Sequence, residues 1–203
     1  MQKLAESDLV QLDVDTPIWD RTFMVAPLVI IGTQENDGYD LAPKHMATPM
    51  GFDNYFGFVC TPNHGTYHNV KKHGCFTVSF PTPDQIITAS LSASPRSGDI
   101  SKSAGIIEAL PIAEATSMHA PLLCDAYLYF ECDLFKIVDG FGENSLITGS
   151  IRKAFVQKGY LRISELDEAD QLQKYPLLAY IAMGRFANIS NTYNFPFPKD
   201  FKR

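Results

Sequence analysis

Short apolar runs separated by turn-forming residues recur along the chain, and this spacing predicts a protein built mainly from β-strands. Residues 28–33 are apolar and largely β-branched, and the triplet Asn-Asp-Gly follows at 36–38. Asp and Gly tolerate positive φ angles, so this junction predicts a strand that enters a hairpin. Two further strands are expected at 57–61 and 76–80, each followed directly by a proline.

The clearest alternation covers residues 126–138. Apolar side chains occupy the even positions from 128 to 134, and Tyr, Glu and Asp occupy the odd positions beside them. This is the two-residue period of a strand. A turn at 139–142 should then lead into a second long strand at 145–156. Gly149 within that strand indicates a bulge, or a point where a ligand or another part of the backbone comes close.

The remaining segments are expected to be loops and short helices. Prolines at 43 and 49 would interrupt a β-ladder, so residues 39–49 are predicted to form an irregular loop. The other expected elements are a helix at 67–73, a capped helix at 82–92, a loop at 94–103, a short helix at 104–110, a linker at 111–121, a helix that opens at 164–167 and an extended tail at 195–198. Five or more strands joined mainly by short turns, with helices inserted before the last hairpin, predict a mainly β (α+β) fold, a closed or nearly closed antiparallel barrel.

Length and charge narrow the classes of protein. The chain has 203 residues, which fits one domain over 1–203 with residues 1–20 as a peripheral segment. Its net charge is −6 and its longest basic cluster is Lys71-Lys72-His73, so it lacks the footprint of a nucleic-acid-binding protein. It has neither a basic, apolar leader nor an apolar run of the roughly twenty residues that cross a bilayer. We therefore expect a cytoplasmic protein with no nucleic-acid or membrane partner.

Six parts of the sequence form a recognisable series between about residues 24 and 198. They are DGYDLAPKH at 37–45, NHGTYHNV at 63–70, CFTVSFP at 75–81, FECDL at 130–134, ITGSI at 147–151, and PLL at 176–178 with GRFA at 184–187. In this order and spacing they resemble the flavin reductase-like family of FMN-binding proteins.

The resemblance implies an antiparallel, FMN-binding split β-barrel with inserted helices. It also implies a non-covalent flavin, FMN or alternatively FAD, and a homodimer with the flavin at or near the subunit interface. Residues 39–49 would lie along the isoalloxazine ring, and residues 60–69 would hold the phosphate. The residues expected to bind the cofactor are Leu41, Ala42, Pro43, Lys44, His45, Met46, Thr61, His64, Gly65, Thr66 and Asn69.

The chemistry of these residue types suits a flavin nucleotide. A hydroxyl at Thr66, a possible cation at His64 and the N–H groups at the start of the predicted helix are the partners that a phosphate requires. Gly65 would let the backbone approach closely. Lys44 could place a positive charge near the pyrimidine edge of the flavin and favour its reduced, anionic form.

Several positions differ from the family pattern. His45 stands where many members have Ser or Thr, and His64 and Gly65 replace the Lys and the acidic residue of a "KDT" motif. Asn144 stands where reductase members often have a histidine, five residues before the glycine. The absence of this histidine weakens the case for efficient turnover of NAD(P)H but not the case for flavin binding.

Two functional hypotheses follow, and neither assigns a catalytic residue. The first is an FMN-dependent oxidoreductase that takes hydride from NAD(P)H, bound transiently as a co-substrate. The second is an FMN-binding electron carrier or flavin store without nicotinamide turnover. The sequence has no GxGxxG fingerprint, which argues against a dinucleotide-binding domain of its own but leaves transient nicotinamide binding open.

A group of cysteine and histidine residues suggests a third hypothesis, a metal-binding protein. The group is Cys60, His64, His68, His73 and Cys75. Although His64 and His68 have i, i+4 spacing, no pair has a standard zinc spacing, and the two cysteines belong to separate predicted strands. We therefore expect no bound metal, and the four cysteines are expected to be free thiols, mostly packed in the core.

Overall fold

The computed structural model describes residues 9–36, 38–95, 102–162, 168–182 and 184–199. The strands are β1 (Val25–Pro27), β2 (Val29–Glu35), β3 (Gly38–Lys44), β4 (Ala47–Pro49), β5 (Tyr55–Cys60), β6 (Cys75–Phe80), β7 (Ile112–Glu114), β8 (Pro121–Leu123), β9 (Leu128–Phe141), β10 (Asn144–Val156), β11 (Leu177–Ile181) and β12 (Arg185–Ile189). The helices are α1 (Gly65–His73), α2 (Ile86–Leu91), α3 (Lys102–Gly105) and α4 (Glu168–Lys174).

A seven-stranded antiparallel sheet organises the chain. Its order is β3-β2-β6-β9-β10-β5-β4, so that β3 and β4 are the two edges. A smaller sheet has the order β1-β11-β12, and β7 pairs with β8. The long β9–β10 hairpin is at the centre, where β9 also pairs with β6 and β10 pairs with β5.

Strand β2 separates two apolar cores. Val29 and Ile31 belong to a core that contains Phe58 and Phe76, whose rings meet edge to face at 5.2 Å. The alternate residue Ile30 belongs to a second core, together with residues of the 107–123 region. Both faces of β2 are therefore buried, and each fully buried side chain of this size contributes about 1.5–3 kcal/mol.

The prediction of an irregular loop at 39–49 is wrong, because most of this segment forms strands β3 and β4. The reason is the position of the two prolines. Pro43 lies in β3 and Pro49 in β4, and these are the two edge strands of the main sheet. On an edge strand a missing N–H can face outward, where it interrupts no ladder.

Two other expectations needed revision. The predicted turn at 139–142 instead continues strand β9 to Phe141, and the chain reverses at 142–143. A register shift between Asn144 and Ser145 accommodates the longer pairing. The predicted linker at 111–121 includes β7 and the first residue of β8, which pair so that Ile112 lies opposite Leu123.

Most other elements agree with the sequence prediction to within a few residues. The expected capping box is present, with Thr82 and Gln85 satisfying each other's backbone N–H groups at the start of a 3-10 turn that continues as α2. Residues 104–110 form a shorter α3 and a separate 3-10 turn. Asp37 of the first hairpin, residues 96–101 and the predicted cap at 164–167 lie outside the described residues.

Gly149 marks both a bulge and a close approach, as its position within a strand predicted. The register between β9 and β10 shifts between Thr148 and Gly149. A Cβ atom on Gly149 would lie 2.7 Å from the ring of Phe76 and 2.9 Å from the carbonyl oxygen of Asp133. The groups that come close to Gly149 are therefore the ring of Phe76 and the backbone of β9.

Candidate functional site

A cavity of about 400 Å³ lies where the end of β3 meets the start of α1. Its walls come from strand β3, from the residues around the first turn of α1, from residues 93–95 and from Lys102 at the start of α3. This volume is within the range of about 300–1,000 Å³ that is usual for small-molecule sites.

Local hydrogen bonds fix where α1 begins. The N–H of His64 donates to the carbonyl oxygen of Thr61 at 3.1 Å, and the N–H of Asn63 donates to the Thr61 hydroxyl at 3.3 Å. His64 has extended backbone angles and stands at the N-cap position, but its side chain makes no capping bond. The first N–H groups of a helix have no acceptor within it, so those of Gly65 and Thr66 can serve an anion.

A buried polar network forms one wall of the cavity. The hydroxyl of Thr66 donates to Oδ2 of Asp40 at 3.3 Å, and Nζ of Lys102 lies 3.0 Å from Oδ1 of the same carboxylate. Lys102 also donates to the carbonyl oxygen of Leu41 at 2.5 Å. Asp40, Thr66 and Lys102 are 3%, 2% and 8% exposed, so the network is almost completely removed from bulk water.

The lysines, rather than the histidine, provide the positive charge of this site. Desolvation lowers the pKa of His64, and the nearby charge of Lys44 lowers it further against an opposing effect of Asp40. Both effects disfavour the charged imidazole, so the structure does not favour a cation at His64. Burial raises the pKa of the Cys60 thiol, with Lys44 acting in the opposite direction, so this thiol stays protonated.

Six of the residues expected to bind the cofactor come together around the cavity. They are Ala42, Pro43, Lys44, His64, Gly65 and Thr66. Leu41 is different, because its side chain is fully buried in the second core and only its backbone is near the site.

The other expected residues lie next to the cavity rather than in its wall. The ring of His45 stacks on Tyr180 with ring centroids 4.5 Å apart. Met46 is about half exposed. The hydroxyl of Thr61 accepts the N–H of Asn63 as described, and the buried amide of Asn69 donates to Thr33 at 3.1 Å. These four residues therefore do not line the cavity themselves.

Asp40 and Lys102 are the residues that the sequence analysis missed. Asp40 was inside the segment that carries the family resemblance, and an acidic residue between apolar ones in a strand is a usable signal. Lys102 had no comparable signal, since it reaches Asp40 and Leu41 across about sixty residues of chain. The described residues contain no group of three or more His, Cys, Asp and Glu side chains that could hold a metal ion.

A comparison with protein families decides the relationship. The model of the flavin reductase-like domain matches residues 21–179. The chain belongs to the flavin reductase-like family. Its sequence resemblance and its sheet topology thus agree.

Several solved structures of flavin-binding and flavin reductase proteins have the same fold as this chain, at low sequence identity. Flavoredoxin from Methanosarcina acetivorans is 16% identical, with a TM-score of 0.74 over 93% of this chain and 95% of its own. An FMN-binding protein from Thermus thermophilus is 18% identical, with a TM-score of 0.71 over 97% and 100%. BorF, the flavin reductase component of a bacterial two-component tryptophan halogenase, is 19% identical, with a TM-score of 0.62 over 83% and 93%. The flavin reductase-like chain is thus a mainly antiparallel split barrel with inserted helices. None of its described helices is both long and apolar enough to traverse a membrane.

Proposed function

We propose that this flavin reductase-like protein is an FMN-dependent oxidoreductase, with NAD(P)H as the transient hydride donor. The observation that carries the proposal is the cavity at the start of α1, where helix N–H groups and two lysines, Lys44 and Lys102, meet the residues of the matched β3 segment. A dianionic phosphate needs convergent donors and positive charge, and both are present.

The residues present fit a flavin mononucleotide. The first turn of α1 would bind its phosphate through backbone N–H groups. Strand β3 is an edge strand, so the backbone groups on its outward side have no strand partner, and those that no side chain occupies can bond to the polar edge of a flat ring. When bound, FMN supplies a ring that accepts hydride and passes electrons on, while the protein contributes position and charge.

We also propose a single-domain, cytoplasmic homodimer, with residues 1–20 peripheral to the barrel. Support for association comes from the large apolar side chains that β9 and β10 expose along the hairpin, at Phe135, Val138, Phe141 and Phe155. Exposed apolar area of this extent favours a protein partner. Light scattering should give twice the chain mass of 22.6 kDa, and a monomer at micromolar concentration would contradict the dimer.

An FMN-binding electron carrier or flavin store is the alternative function. Two observations favour it. Asn144, at the position where a histidine would be expected near nicotinamide, is exposed at the tip of the β9–β10 hairpin. His45 stacks on Tyr180, and burial together with the charge of Lys44 lowers its pKa, which disfavours a cation at this position.

The visible absorption spectrum distinguishes these functions. The purified protein, loaded with FMN and freed of excess, is mixed anaerobically with NADH and separately with NADPH. Bleaching faster than that of free FMN at equal concentration supports the oxidoreductase. A flavin spectrum that persists with both nucleotides supports the carrier or store. Failure to retain or take up FMN contradicts both, and the same experiment with FAD decides between the two flavins.

A further inference from the structure

Lys102 is a buried cation in the wall of the cavity. Its side chain is 9% exposed, and that of its partner Asp40 is 4% exposed. Burial of a charge pair costs several kcal/mol per ion in desolvation, which the attraction between the charges offsets only in good geometry. Such a pair is therefore weak evidence for stability, and its position beside a ligand-sized cavity suggests a role in binding.

The geometry leaves part of the Lys102 ammonium group available. An ammonium carries three N–H donors. Its nitrogen forms an ion pair with Asp40, 3.0 Å from Oδ1, and one N–H donates to the carbonyl oxygen of Leu41. Because Lys102 also lines the cavity, a remaining N–H can serve an acceptor that lies within it.

Thr66 is constrained in the opposite way. A hydroxyl has one hydrogen, and an ionised carboxylate can only accept. The hydrogen of Thr66 is committed to Asp40, so its side chain cannot at the same time donate to a phosphate. The donors left at this end of the cavity are the N–H groups of Gly65 and Thr66 and the ammonium group of Lys102.

We propose that Lys102 binds the phosphate group of the flavin nucleotide and that Asp40 is the positioning residue that aims it. This proposal rests on the proposed function, since it assumes that the cavity takes a flavin. Asp40 and Lys102 cancel each other's charge. The pair therefore contributes a correctly oriented N–H donor to the phosphate, and Lys44 contributes the net positive charge. The start of α1 completes the site with its partial positive charge.

Riboflavin tests this assignment, because it is FMN without the phosphate. Dissociation constants for FMN and riboflavin are measured by quenching of flavin fluorescence. Loss of a charged hydrogen bond of about 1.5–3 kcal/mol corresponds to a loss of about 10- to 100-fold in affinity. We expect Lys102→Met to weaken FMN by this factor and to leave riboflavin within about twofold. Lys72→Met, an exposed lysine in the last turn of α1, is the matched control and should change neither.

Two further variants guard against a simple folding defect. Asp40→Asn/Lys102→Met removes both charges at nearly constant volume, so no buried ion is left without its partner. It should retain the wild-type circular dichroism spectrum and show the same lowered preference for FMN over riboflavin as Lys102→Met. Lys102→Arg keeps the cation and should recover part of the preference.

The outcomes separate this proposal from the proposed function. If Lys102→Met weakens FMN and riboflavin equally, or weakens neither, Lys102 does not bind the phosphate. If the wild-type protein binds both flavins equally well, the phosphate is not recognised here, although flavin binding stands. If it binds neither, the flavin function fails and this assignment fails with it.

Discussion

Two buried carboxylates, in different parts of the same sheet, are held in different ways. Glu131 on β9 is fully buried and accepts four hydrogen bonds from uncharged donors, which are the backbone N–H and hydroxyl groups of Thr116 and Ser117. Asp40 on β3 is also buried, but its partners are the ammonium group of Lys102 and the hydroxyl of Thr66.

The difference separates a structural site from the proposed binding site. The four donors around Glu131 bond to both carboxylate oxygens and so attach residues 116–117 to β9. Nζ of Lys153 also donates to the hydroxyl of Thr116, at 2.9 Å. Around Asp40 the partners border an open cavity. Glu131 and the neutral donors of Thr116 and Ser117 thus hold two parts of the chain together, and we call them the Glu131 clamp. We propose that Asp40, by contrast, holds the cation of Lys102 at the cavity wall in a position to bind a ligand.

The largest expected effect is on the clamp. Glu131→Ala removes the acceptor of four partly buried hydrogen bonds, and we expect it to lower the free energy of unfolding by about 3–5 kcal/mol. Urea denaturation measures this loss. Asp133→Ala is the control, because its pair with Arg152 is partly exposed and should contribute about 0–1 kcal/mol. A loss below about 1 kcal/mol for Glu131→Ala would contradict the clamp.

The next largest effect is expected on the stabilisation of the protein by bound FMN, which compares the Glu131 site directly with the Asp40–Lys102 site. At about 100 times its dissociation constant, FMN should stabilise the wild-type protein and Glu131→Gln equally, by about 2.7 kcal/mol. At the same concentration Lys102→Met should gain about 1.4 kcal/mol or less, because its weaker binding reduces the linkage. Urea denaturation with and without FMN measures these gains. A full gain in Lys102→Met would show that the Asp40 site resembles the Glu131 clamp and does not bind ligand.

A double-mutant cycle tests the charge pair itself. Asp40→Asn and Lys102→Met each leave a buried charge without its partner, whereas the double variant removes both charges. We expect the double variant to be more stable than the sum of the single effects predicts, by about 1–3 kcal/mol. Additive losses in urea denaturation would mean that Asp40 and Lys102 do not interact in solution.

The sequence predicted the fold better than it predicted the site, for physical reasons. The apolar alternation at 126–138 and the Asn-Asp-Gly triplet after β2 are local signals, and the strand β9 and the β2–β3 pairing that they predict are present. The prolines at 43 and 49 misled the prediction of 39–49, because their meaning depends on which strands are edges, and strand order is not local.

The same limit applies within the site. The motifs at 37–45 and 63–70 supplied most of the candidate residues, from Leu41 to Asn69, because each motif is continuous in the sequence. The partners of Asp40 come from α1 and from Lys102, and only the folded chain brings them together. The lowered pKa of His64 also depends on its surroundings, since it follows from desolvation and from the charge of Lys44.

The smallest effect is a pH dependence that should belong to the Glu131 clamp. Burial acts to raise the pKa of Glu131, but the hydrogen bonds from Ser117 and Thr116 outweigh burial and hold its pKa below the ordinary value. Because the pKa is lower in the folded chain, the ionised carboxylate stabilises the fold at neutral pH. That stabilisation is fully present above the ordinary glutamate pKa and is lost as the pH falls through the lowered value.

Glu131→Gln removes this titration while keeping most of the side-chain volume. The difference in free energy of unfolding between the wild-type protein and Glu131→Gln should therefore be largest at neutral pH and should narrow on acidification. A difference that stays constant on acidification would mean that Glu131 is held by its shape alone, and the contrast with Asp40 would then lose its electrostatic basis.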